Sequence, residues 1–103
     1  MIELTLQVDP AHPAFAGHFP GHPILPGVVL LDWAIGAIES SAQGESDFLA
    51  RHQLSACKFH HPVGPGATLS LAIDFKPGGQ VAFAISEAGK PVASGRFARR
   101  VAV

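Results

Sequence analysis

The chain has 103 residues, a formal charge of −1 and a single cysteine, with 48% hydrophobic residues and a mean hydropathy of +0.29. That length suits one domain, residues 1–103, with a modest core that a second copy would complete. The near-zero charge gives no global pull toward nucleic acid, lone Cys57 excludes an intramolecular disulfide, and no apolar run is long enough to span a membrane.

Residues Ile2 to Val8 alternate apolar and polar, the period of a half-buried strand, and Asp9-Pro10-Ala11-His12-Pro13 ends it with turn chemistry. The N-terminal residues carry no basic segment followed by an apolar one, so no secretory signal is read and a cytoplasmic protein is expected. From Gly17 to Gly27 the chain alternates stiff and permissive residues. Pro20, Pro23 and Pro26 fix their own φ and push Phe19, His22 and Leu25 toward extended backbone. This stretch is a shaped loop carrying an imidazole, His18.

A helix is expected from Val28 to about Ser40, apolar on almost all sides and therefore buried. Asp32 is the lone carboxylate in its first half, and burying it is costly unless it is paired or put to use. A capping role near the helix start is the plainer alternative. Beyond Gly44 the pattern is mostly strand: about Arg51 to Phe59, Thr68 to Phe75, Val81 to Ser86 and Pro91 to Val103. Pro77-Gly78-Gly79 and Glu87-Ala88-Gly89-Lys90 are turns, so the last three strands form an antiparallel meander. One helix against five strands leaves a face and an edge for a second copy.

The run Gly17-His18-Phe19-Pro20-Gly21-His22-Pro23-Ile24-Leu25-Pro26-Gly27-Val28 resembles the signature of the 3-hydroxyacyl-carrier-protein dehydratases of fatty acid synthesis. Lys58 to Leu69 is similar to that family's next strand and corner. The phrase from Pro23 to Ala34 looks closer still to the small dehydratases of aryl polyene pathways. The resemblance implies an α+β hotdog fold, with an antiparallel sheet of about five strands wrapped around one long central helix, in a homodimer. It implies dehydration of 3-hydroxyacyl thioesters on acyl carrier protein to trans-2-enoyl thioesters, without a cofactor. His18 falls on the family's catalytic base and Asp32 on its acid, the two meeting across the subunit interface. Gly36 stands where both main branches carry Gln, one turn after the carboxylate.

The residue chemistry agrees with that assignment. Dehydration removes a proton beside the thioester carbonyl and expels hydroxide from the next carbon. An imidazole, with an ordinary pKa of about 6.5, suits the first task. Asp32 suits the second if its surroundings keep a proton on it, or if it works through a water. The backbone N–H groups of Gly27 and Val28, at the helix start, are candidate donors to the thioester oxygen. Phe19, Leu25 and Trp33 are candidate acyl-tunnel walls, Trp33 alternatively packing at the subunit interface. Arg96, Arg99, Arg100 and Lys58 either dock an acidic carrier protein or are a solvated strand end. His22 reads as structural, and His60 and His61, on opposite strand faces without a completing Cys or carboxylate, do not read as a metal site. Two rival functions remain: a hotdog acyl thioesterase, which also uses a helix carboxylate, and a non-catalytic acyl-binding module.

Overall fold

The computed structural model describes residues 2–11, 25–41 and 47–100. Strand β1 (Ile2–Gln7) is followed by helix α1 (Gly27–Ser40), a one-turn helix α2 (Phe48–Arg51), and strands β2 (His52–Phe59), β3 (Thr68–Phe75), β4 (Val81–Glu87) and β5 (Lys90–Arg99). The architecture is α+β, with one antiparallel sheet in the order β1-β3-β4-β5-β2. β1 and β2 are therefore its two edges.

Period-two alternation sets the inner face. Leu69, Leu71 and Ile73 of β3 and Val81, Phe83 and Ile85 of β4 are buried, joined by Phe97 of β5. Helix α1 lays Leu30, Ala34 and Ile38, spaced four apart on one face, against that layer. The outer face is a layer of small side chains, among them Ala72, Ala84 and Ser94, aligned across β3, β4 and β5 by the register Ala72↔Ala84 and Ala84↔Ser94. Gly95 is required on the inner side: a Cβ there would lie 2.5 Å from the Phe83 ring and 3.0 Å from the Ala56 carbonyl oxygen.

The meander is present as expected, with Thr68–Phe75 matching residue for residue. Gly78 and Gly79, at φ of 80° and 78°, make the turn between β3 and β4. Ala88 and Gly89 alone connect β4 to β5, both at positive φ, which is the two-residue turn whose twist suits a hairpin. After Asp9, whose carboxylate accepts the Ala11 N–H at 2.9 Å, the chain leaves β1 as its turn chemistry predicts.

Three expectations need adjusting. The helix is buried along one stripe rather than on nearly all sides; Val28, Asp32, Gly36 and Ser40 form an exposed stripe on the single chain. The strand expected from about Arg51 is preceded by α2, closed by an Asp47 to Arg51 ion pair at 2.9 Å. The Arg51 guanidinium holds the exposed Asp47 carboxyl below its usual range. The last strand ends at Arg99, and residues 101–103 lie outside the described residues. Among the described residues no helix is long and apolar enough to cross a membrane.

Candidate active site

Helix α1 starts because Pro26, at φ −59° and ψ 142°, cannot extend it backwards, and Gly27 opens the first turn. Among the described residues no side chain caps that end. Val29 donates its N–H to the Pro26 carbonyl at 3.0 Å, whereas the N–H groups of Gly27 and Val28 precede any intrahelical acceptor. Both residues border a depression of about 540 Å³, which Leu25 also lines and which Phe59, His60 and His61 bound from β2 and the chain after it. The Phe59 ring lies directly over Gly27, where a Cβ would stand 2.7 Å from it.

One turn on, Asp32 lies in a second cleft of about 550 Å³ between α1 and β1. Asp32, Trp33, Gly36 and Ser40 form its helix side, and Leu6 and Gln7 its strand side. A Cβ on Gly36 would meet nothing within 4 Å. The apolar enclosure expected around Asp32 is not supplied by the described residues, among which the carboxylate belongs to the exposed stripe.

The structure thus sorts the candidates read from the sequence. The Gly27 and Val28 donors and Asp32 share one helix but open into two different depressions. Leu25 is 3% exposed, its N–H bonded to the Val63 carbonyl at 2.8 Å, and it borders the donor depression. Trp33 borders the Asp32 cleft while packing partly against the core. His18 and Phe19, and with them His22, lie outside the described residues.

The four basic docking candidates fall into two groups. Lys58 pairs with Ser94 and Ala56 with Arg96, so Lys58 and Arg96 are diagonal neighbours on the outer sheet face. Arg99 and Arg100 lie at the far end of β5 beside α2, where the Arg100 side chain donates to the Leu49 carbonyl at 3.3 Å. His60 approaches the Ser94 hydroxyl at 3.3 Å, and no three ligating side chains are grouped for a metal among the described residues. Cys57 is half-buried, and burial pushes its thiol up.

The strand wall of the Asp32 cleft was not read from the sequence. The four-residue spacing of Asp32, Gly36 and Ser40 marks the helix side, but only the placement of edge strand β1 brings Leu6 and Gln7 opposite it.

Residues 1–96 match the family model described as ApeI-like, ApeI dehydratase. The 3-hydroxyacyl-[acyl-carrier-protein] dehydratase FabZ of Syntrophotalea carbinolica is 36% identical over 67 residues, covering 60% of this chain and 46% of the relative. FabZ of Thermus thermophilus is 44% identical over 66 residues, covering 57% and 45%. The chain spans about half the length of these curated relatives. Among solved structures, a chain of the dehydratase heterocomplex ApeI:P from Xenorhabdus doucetiae superposes with a TM-score of 0.79 at 25% identity, over 96% of this chain and 86% of that one. The fold is therefore that of the hotdog dehydratases, and the chain belongs to the ApeI-like dehydratase family.

Proposed function

We propose that this chain is a hydro-lyase that dehydrates 3-hydroxyacyl thioesters carried on acyl carrier protein to trans-2-enoyl thioesters, in fatty acid or polyene synthesis in the cytoplasm. The observation that carries the reading is Asp32 itself, a carboxylate presented on the open face of α1 in a cleft flanked by Leu6 and Trp33. It sits in a chain whose residues 1–96 match a dehydratase family. His18 removes the proton beside the thioester carbonyl, and Asp32 delivers a proton to the departing hydroxyl. The Gly27 and Val28 N–H groups, at the positive end of the α1 dipole, steady the thioester oxygen as charge develops on it.

The functional unit is a homodimer of single hotdog domains, each covering residues 1–103. Two features support this: Asp32 is open on its own chain, and the donor depression is separate from the acid cleft. A second subunit would enclose the carboxylate in the low-dielectric surroundings that a proton donor needs, and bring an imidazole to it from across the interface. Lys58 and Arg96, which share one face, are the stronger pair for docking an acidic carrier, with Arg99 and Arg100 as a separate group.

The test is incubation with a 3-hydroxyacyl thioester of acyl carrier protein, followed by mass spectrometry for the loss of water. His18→Ala and Asp32→Asn should each lower kcat by about 10²–10⁴-fold, the range for general acid–base groups. Release of free thiol without an enoyl product would identify a thioesterase instead, and binding without any turnover would leave only an acyl-binding module.

A further inference from the structure

The start of α1 is tied to the end of β2 and the chain after it. Just before the helix, the Leu25 N–H donates to the Val63 carbonyl at 2.8 Å. At the first helical residue, the Phe59 ring rests on Gly27 so closely that a Cβ there would stand 2.7 and 2.8 Å from two ring carbons, nearer than such atoms approach. Phe59 is itself firmly carried. It is the last residue of β2, paired with Ala93 of β5, and the two residues after it, His60 and His61, both donate their N–H groups to the Val92 carbonyl, at 2.7 and 3.3 Å. A ring fixed to the sheet therefore seats the residue from which the helix departs. The rest of that ring is open: Phe59 is 55% exposed and borders the same depression as Gly27 and Val28.

We infer that Phe59 is a positioning residue for the dehydration, which acts through its contact with Gly27 to hold the Gly27 and Val28 N–H groups where the thioester oxygen needs them. The inference rests on the dehydratase reading, in which those two groups steady charge that develops only as the reaction proceeds. Stabilisation of that kind depends on place: a misplacement of about 1 Å can cost on the order of 10²-fold in rate. Binding of the acyl chain is spread over many contacts and feels the same shift far less. Loss of the ring should therefore act on kcat rather than on KM. The absence of a side chain at Gly27 belongs to the same contact, because a methyl group there pushes the ring off its seat. Gly27→Ala and Phe59→Ala thus remove one contact in two ways, and both keep the backbone N–H groups.

The experiment measures kcat and KM with a 3-hydroxyoctanoyl carrier-protein thioester for the wild type, Phe59→Ala, Phe59→Leu, Phe59→Tyr, Gly27→Ala and the double variant Gly27→Ala/Phe59→Ala, with thermal melting of each sample. Phe59→Ala and Gly27→Ala should each lower kcat at least about tenfold while KM stays within about threefold of wild type. Combined, they should cost little more than either alone, because the second change finds the contact already gone. Phe59→Tyr keeps the ring and should recover most of the loss. Phe59→Leu keeps apolar bulk without the flat ring, so it should stay low, and it replaces the alanine variant if that one fails to melt cooperatively. A kcat within about twofold of wild type in folded Phe59→Ala or Phe59→Leu overturns the inference. So do losses that multiply in the double variant, or a loss carried by KM alone. Absence of water loss with the wild type sinks the dehydratase reading itself, and is visible before any variant is compared.

Discussion

His52 shows how much a single side chain can hold. It is 3% exposed, stacked on Phe48 with ring centroids 4.2 Å apart, and its two nitrogens face the Phe48 carbonyl at 3.1 Å and the Gly79 carbonyl at 3.0 Å. The ring therefore joins α2 to the turn between β3 and β4, and Phe48 in turn meets Phe97 edge-on at 5.0 Å. His52→Leu keeps comparable bulk but removes both polar contacts. It should lower stability by about 1–3 kcal/mol, the cost of stranding buried polar groups, which denaturant unfolding would read as a lower midpoint at unchanged slope. An unaltered midpoint would mean that neither the stacking nor the polar contacts of His52 hold these elements together. Nothing in the sequence distinguishes His52 from exposed His60 and His61, because its burial depends on a turn 27 positions away. Asp32 is different: a lone carboxylate in an apolar run is conspicuous before any fold is known, although its exposure is not.

Among the elements, the β4–β5 hairpin contains a local conflict. The two-residue loop Ala88-Gly89 has φ of 49° and 82°, and alanine resists the left-handed region by roughly 1–2 kcal/mol. Asparagine accepts that conformation. Ala88→Asn should therefore raise stability by about 0.5–1 kcal/mol, seen as a melting temperature higher by a few degrees; a fall would show that the pairing of Glu87 with Lys90 depends on the alanine. The elements themselves were largely legible. Alternating residues from Thr68 to Phe75 and from Val81 onward, punctuated by Gly78, Gly79 and Gly89, yield strands with the expected ends. Helix α2 was not legible, since four residues held by one turn and one exposed ion pair leave no periodic signal.

For the whole molecule, the open surfaces point to assembly. Edge strand β2 carries Leu54 at 41% exposure and Phe59 at 55%, and Val28 on the open helix face is 69% exposed. Edge strands that expose apolar side chains invite pairing. On the homodimer reading, Leu54→Lys places a charge at that edge and should shift the protein toward monomer in light scattering, with turnover falling in parallel. A monomer that keeps full activity would contradict a site completed by two subunits.

By itself the sequence determined the local things: the break at Pro26-Gly27, a helix directly after it, a three-strand meander and the placing of the carboxylate Asp32 in the first half of that helix. Those follow from φ restriction and hydrophobic period, which act over a few residues. The tertiary structure decided which strand borders Asp32, that the start of α1 at Gly27 and Val28 and Asp32 open into separate depressions, and that the basic residues divide into two groups. Each of these depends on strand order and register, which bring together segments far apart in the chain, and no local preference encodes them.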